Sequence, residues 1–258
     1  MAETRTQNRI VADHSTRKQS NGAAAEVWEN VKQIGLAVIL ALFIKTSIVE
    51  AYKIPSASME DTLLVGDFLL ANKFVYGARL PLVGWRLPAI HEPHRGDVVI
   101  FIWPSDGKTK FIKRCVGLPG DTILIRDKQL FVNGKVFPRP EDGPPKWHPK
   151  FIDPHVLPRQ SGGFNSRDNW GPEVVPPNCY FMMGDNRDDS NDSRFWKSVP
   201  KELILGEAMM IHWSWNEENH PSPDVSVSDP LSVPRVFAYN VVHFWEKVRW
   251  DRLFRVIH

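Results

Sequence analysis

Three stretches of the chain carry side chains suited to covalent chemistry. The first is Ile54-Pro-Ser-Ala-Ser-Met-Glu-Asp-Thr-Leu63. If it is extended, Ser56 and Ser58 project to one face, because side chains two apart in a strand point the same way. One hydroxyl would then act as a nucleophile and the other as a hydrogen-bond donor to an oxyanion, and the spacing leaves open which does which. A serine needs a base, and the nine histidines provide no triad pattern. There is no G-x-S-x-G turn, and His91-Glu-Pro-His94 carries a proline inside the spacing that a helical pair of metal ligands would need. Ser105-Asp-Gly-Lys108 matches S-x-x-K, but Asp-Gly in its middle reads as a turn.

Lys113 is the better base. In Phe111-Ile-Lys-Arg-Cys115, strand alternation sets Lys113 on the face of Phe111 and Cys115, and Arg114 on the face of Ile112 and Val116. An apolar flank desolvates the ammonium and lowers its pKa, and a fall of about three units would leave much of the amine neutral near pH 7. The third stretch is Gly184-Asp-Asn-Arg-Asp-Asp-Ser-Asn-Asp-Ser-Arg194. Asp188-x-Ser190-x-Asp192 has the look of a calcium loop, yet an EF-hand would need glycine where Ser193 stands and glutamate where Val199 stands. The dense mixture of Asp, Asn, Arg and Ser reads instead as a network of hydrogen bonds and ion pairs that fixes a loop next to a strand end.

The elements that must position these groups read as strands: Phe68–Val75, Asp97–Ile102, Lys110–Val116, Thr122–Arg126 and Tyr180–Met183. They are short and punctuated by Pro-Gly, Asn-Gly and Gly-Asp turns, the pattern of an antiparallel β domain rather than of alternating βα units. Residues 138–177 are proline-rich and aperiodic, and read as an irregular insertion on the β body. With 258 residues, 42% of them apolar, the chain can bury a sizeable core. A net charge of +2 from 32 basic and 30 acidic residues gives no general footprint for nucleic acid. Cys115 and Cys179 offer no C-x-x-C spacing, so neither a disulfide scaffold nor a zinc knuckle is indicated.

Ahead of the β body, residues 1–26 read as a flexible polar tail and 27–50 as one transmembrane helix. The apolar run 34–49 alone spans about 24 Å as a helix, whereas starting at Val27 gives about 35 Å, enough for a tilted span with Lys32 and Lys45 near the two interfaces. A buried soluble helix and a cleaved signal peptide ending near Ala51 are the competing readings, the second weakened by the long polar tail. Arg17, Lys18 and Lys32 lie close before the run and only Lys53 follows it closely, which sets the tail in the cytoplasm and residues 51–258 outside.

In order along the chain, Pro55-Ser-Ala-Ser-Met59, Arg95-Gly-Asp-Val-Val-Ile-Phe101, Phe111-Ile-Lys-Arg-Cys-Val-Gly-Leu-Pro-Gly-Asp121 and Gly184–Arg194 resemble the conserved boxes of bacterial type I signal peptidases. The likeness runs from the apolar segment to about Trp215 and resumes at Val248-Arg-Trp-Asp-Arg252, leaving the tail, much of 138–177 and about 216–247 uncovered. It implies a mainly β, barrel-like antiparallel protease domain behind one transmembrane helix, single-pass in the bacterial cytoplasmic (inner) membrane. Its partners would be preprotein signal peptides, cut after Ala-x-Ala-like sites, and membrane lipid, with no cofactor, metal or nucleic acid. The resemblance makes Ser58 the nucleophile and Lys113 the general base. Ser56 and the N–H of Ser58 would line the oxyanion hole, Ser190 would orient Lys113, and Arg114, Asp185, Asp192 and Arg194 would hold the scaffold. The family often has proline where this chain has Asp61.

Two other classes compete. SOS-response repressors are similar in β core and Ser/Lys dyad, but are soluble with a DNA-binding domain, whereas the 50 residues before Ser58 hold no helix-turn-helix pattern. A non-catalytic membrane-anchored β module that binds peptides at a sheet edge would have no use for Ser58, Lys113 and Ser190 together.

Overall fold

In the computed structural model, which describes residues 26–38, 40–41, 49–77, 87–138, 148–152, 167–216, 220–223, 229 and 231–258, the chain divides into two units, Met1–Thr46 and Ser47–His258. In the first, residues 26–38 form a helix with every side chain exposed. Glu29 and Lys32, one turn apart, pair at 2.9 Å. The expected span over 27–50 falls partly on residues 39 and 42–48, outside the described residues. Among those described, no helix is long and apolar enough to cross a membrane.

The second unit is built from antiparallel strands, as the short apolar runs between turn residues predict. Its strands are β1 (Val49–Lys53), β2 (Asp67–Asn72), β3 (Val98–Ile102), β4 (Lys110–Gly117), β5 (Thr122–Arg126), β6 (Gln129–Val132), β7 (Lys135–Val136), β8 (Trp170–Val174), β9 (Cys179–Met183), β10 (Val199–Pro200) and β11 (Ile204–Ser214). Seven of them form one sheet in the order β1-β2-β11-β3-β4-β9-β10, and four form another in the order β7-β6-β5-β8. The β5–β6 and β6–β7 hairpins close through Asp127-Lys128 and Asn133-Gly134, all four at positive φ, the conformation that two-residue hairpin loops favour.

Several boundaries differ from the sequence reading. β1 takes in Val49 and Glu50, assigned above to the span, because both pair with β2. β2 stops at Asn72 rather than Val75, since the Asn72 side chain accepts the N–H groups of Phe74 and Val75 at 3.0 and 3.3 Å and turns the chain. Within 138–177, residues 139–147 and 153–166 lie outside the described residues, and Trp170–Val174 is no insertion but a strand paired with β5. The longest strand, β11, sits between β2 and β3. Register shifts between Ala208 and Met210 and between Ile211 and Trp213 break its period-2 alternation, which hides it in the sequence. Helices α1 (Ser232–Val242) and α2 (Phe244–Lys247) occupy the stretch to which no element was assigned.

The segment 54–63 is extended only as far as Ser56, whose φ and ψ are −138° and 156°, and then turns through a 3-10 helix at Ala57–Met59. Glu60 N donates to Ala57 O at 2.9 Å and Leu63 N to Met59 O at 2.7 Å, closing the turn. Asp61 has φ 78°. Proline, locked near −65°, cannot adopt that angle, so proline would not fit this backbone at position 61.

Packing fixes this turn from below. β3 is buried on both faces, with Val98 and Ile100 meeting Ile54, Met59, Leu63, Leu69 and Ile211, and Val99 and Phe101 meeting Cys115, Tyr180 and Met182. Met59, the neighbour of Ser58, is therefore part of the core. Asp67, wholly buried at the start of β2, accepts from Ser214 Oγ at 2.6 Å and from Arg252, whose Nη2 lies 2.6 Å away. Asp67→Ala leaves that guanidinium uncompensated and should lower stability by about 3–5 kcal/mol in urea unfolding, where a loss below about 1 kcal/mol would contradict the assigned role.

Candidate active site

β4 runs antiparallel to β3, with Lys113 opposite Val99, and the 3-10 turn at Ala57–Met59 lies against it. Lys113 Nζ is 2.5 Å from Ser58 Oγ, and both residues are buried. Ser56 Oγ is 3.4 Å from Ser58 Oγ. The two hydroxyls converge as expected, but through an extended residue followed by a tight turn rather than along a straight strand. All three side chains line a groove of about 540 Å³ walled by Tyr52, Ile54, Phe111 and Ile112.

Burial sets the electrostatics. Desolvation pulls the Lys113 pKa down from 10.5 to about 8, opposed by the carboxylates of Asp192 and Asp185 and assisted by the Arg194 charge. The Phe111 ring, 5.6 Å from Nζ, forms part of that dry flank. A fall of this size corresponds to about 3 kcal/mol of disfavoured charge.

The loop that follows β9 supplies the rest. Arg114 and Asp185, both fully buried, pair through two bonds, Nε to Oδ1 at 2.8 Å and Nη2 to Oδ2 at 2.7 Å. Arg194 and Asp192 repeat the geometry at 2.8 Å for both bonds, and Arg194 Nη2 also donates to Arg187 O at 2.6 Å. Burial works to raise the Asp192 pKa, yet Arg194 and the Gly184 N–H hold it below the usual carboxylate range. Asn186 ties the loop to the Ser58 turn, its N–H donating to Ser58 O and its amide to Ala57 O, both at 3.2 Å. Thr62 Oγ1 donates to Asp185 Oδ2 at 2.6 Å.

Asn186 and Thr62 went unassigned in the sequence. Asn186 stood inside the polar loop, whereas Thr62 carried no local signal. Ser190 is buried and faces Asp192 without a well-formed hydrogen bond to any described residue, so the bond to Lys113 that the resemblance implies is absent from this geometry. A Cβ at Gly184 would strike both Ser190 Oγ and Ser58 O, so only glycine lets the loop close on the turn. Among the described residues, no group of His, Cys, Asp and Glu is arranged to hold a metal ion.

This arrangement can move a proton between a hydroxyl and a neutral amine and can present a donor to an oxyanion. Residues 27–213 match the family described as Signal peptidase, peptidase S26. A Signal peptidase I of Pseudomonas fluorescens is 38% identical over 200 residues, 70% of each chain. One from Pseudomonas aeruginosa is 37% identical over 228 residues, 80% of this chain and 76% of that one. One from Aquifex aeolicus is 31% identical over 256 residues, 83% of this chain and 94% of that one.

The lowered pKa has a measurable consequence. Nζ of Lys113 should titrate near 8 when followed by NMR, and a value above about 10 would remove the neutral amine from neutral solution. Between about 8 and 10.5 the unfolded chain holds this proton and the folded chain does not, so folding stability should rise with pH across that window.

Proposed function

The chain belongs to the signal peptidase family, peptidase S26, and from that premise we propose that Ser58 is the nucleophile and Lys113 the general base with which this serine endopeptidase removes signal peptides from preproteins. The observation that carries the assignment is the 2.5 Å approach of Lys113 Nζ to Ser58 Oγ in the floor of the groove.

Neutral Nζ accepts the hydroxyl proton as Ser58 Oγ attacks the scissile carbonyl carbon. The negative charge that develops on the carbonyl oxygen meets Ser56 Oγ–H and the N–H of Ser58. When the C–N bond breaks, the Lys113 ammonium protonates the departing amine, leaving an ester on Ser58. Nζ then takes a proton from water as the hydroxide attacks the ester, and when the acyl C–O bond breaks the Lys113 ammonium returns that proton to Ser58 Oγ, releasing the new carboxyl terminus and restoring the neutral amine. Arg114, Asp185, Asp192 and Arg194 hold the strand and loop around this exchange.

Ile54, Tyr52, Phe111 and Ile112 wall the groove with apolar surface. Such a wall disfavours each extra methylene of a substrate residue by about 1–3 kcal/mol, which supports a preference for small residues at the first and third positions before the cut.

In the same reading a single span ends before Val49, where β1 begins, with residues 1–26 in the cytoplasm and the β domain outside the cytoplasmic membrane. The seven residues 49–55 that lead from the span to Ser56 reach at most about 25 Å when extended, so Ser58 would sit near the outer face. Lipid is the expected neighbour of the exposed apolar side chains of α1 and the segment beyond it, Phe237, Val242, Trp245 and Phe254, the first three each more than 70% exposed.

Ser58→Ala and Lys113→Ala should each abolish cleavage of a peptide carrying Ala-x-Ala before the cut while the chain remains folded, and Lys113→Arg should also be inactive because a guanidinium stays protonated. Wild-type kcat/KM should rise with pH through about 8, as the free amine appears. Activity within about tenfold of wild type in either alanine variant would overturn the dyad. A chain beginning at Ser47 should keep cleavage of short soluble peptides but lose about tenfold or more on membrane-inserted preproteins, because tethering both partners to one surface raises their effective concentration. Equal losses on both substrates would remove the case for the span.

A further inference from the structure

The Arg114 guanidinium has five N–H donors, and being fully buried it needs an acceptor for each. Asp185 takes two, Thr62 Oγ1 takes one at 3.3 Å, and Gly96 O takes one at 2.5 Å. The fifth acceptor is His258 O at 2.8 Å, from a residue 144 positions away. One side chain thus joins the strand of Lys113, the segment that follows Ser58, the 184–194 loop and the segment 255–258.

That last segment is held along β11. Ile211 N donates to Arg255 O and Ile257 N to Met209 O, both at 2.9 Å, and Val256 bridges Met210 in antiparallel fashion. Ile257 packs against the cluster that contains Ile54 and Met59. A few residues earlier, Arg252 Nη2 donates to Thr62 O at 2.9 Å and Arg249 Nη1 to Val65 O at 2.9 Å. These contacts fall on the stretch that runs from Ser58 to β2, on β11, or on Arg114, the neighbour of Lys113.

We propose that the segment Arg249–His258 is a positioning strap, which holds the Ser58 turn and the Lys113 strand in register by completing the shell of acceptors around Arg114. It touches no substrate and does no chemistry. The proposal rests on the dyad reading above. Without His258 O, a buried donor of Arg114 is unsatisfied and the guanidinium shifts towards another acceptor, taking β4 with it. Misplacement of reacting groups by about 1 Å can cost about a hundredfold in rate.

The test is Ile257→Asp in the full chain, which puts a charge into the core cluster and lifts the strap, with kcat and KM measured per folded molecule on a soluble Ala-x-Ala peptide. Ile257 does not itself line the groove, so kcat should fall about tenfold or more while KM stays within about threefold, and Ile257→Val should restore kcat to within about twofold. Ile257→Ala, which keeps the backbone pairing, carries the same expectation in smaller measure if the aspartate variant does not fold. An unchanged kcat per folded molecule overturns the strap, and so does a rise in KM at constant kcat. Ser58→Ala measured in parallel separates the two ideas, since activity there would sink the dyad itself, while an inactive Ser58→Ala beside a fully active Ile257→Asp would sink only the strap.

Discussion

A lysine can act as a base near neutral pH only if its charged form is disfavoured, and in the proposed dyad Lys113 meets that condition among carboxylates. Asp192 and Asp185 both act to keep the Lys113 ammonium charged. Unpaired, they would hold the proton on Nζ. Each is instead engaged by an arginine through two hydrogen bonds, so most of its field is spent on that partner. The residual balance favours desolvation, and the pKa settles at about 8. The Asp–Arg pairs around the dyad are therefore part of the conditions under which the amine is neutral, as well as a scaffold for the loop.

From that constraint follows the way the chain is folded around the site. A dry flank requires Lys113 on a strand inside the sheet, and β4 lies between β3 and β9. Reach to the hydroxyl requires a turn that comes up against that strand, and the 3-10 helix at Ala57–Met59 is anchored by Met59 in the core beneath it. The approach of the 184–194 loop requires a residue without Cβ at Gly184. Each condition is met by a different part of the chain, so the site depends on tertiary packing more than on any local sequence.

The parts legible in the sequence are those that local periodicity or turn chemistry determines. The strand over Lys110–Val116 follows from its alternation, whereas the burial of Lys113 does not, since β4 is buried on both faces from Lys113 onward and a lone lysine in a strand reads as a solvated charge. The convergence of Ser56 and Ser58 was expected from a straight strand but arises from a turn, because two residues of separation bring hydroxyls together in either geometry. β11 escaped notice because its bulges break the alternation on which strand assignment relies. The pairing of Asp67 with Arg252 joins residues 185 positions apart, and no local pattern announces a contact of that range. Ser190 shows the opposite limit: its place in the polar loop was plain, whereas the direction of its hydroxyl depends on Gly184, Asp192 and the turn it faces.

Burying so many charges adds little net stability, since the cost of removing Arg114, Asp185, Asp192 and Arg194 from water is comparable with what their pairing returns. Apolar residues of similar volume would serve the core as well. What apolar residues cannot do is fix direction: a guanidinium with five donors in one plane accepts only one arrangement of its neighbours. Arg114 meets five acceptors contributed by residues 62, 96, 185 and 258, and any relative movement of those segments leaves a buried donor without a partner. A site that must hold a hydroxyl against a neutral amine at 2.5 Å gains from such intolerance, because rigidity there keeps the reacting atoms aligned before substrate arrives.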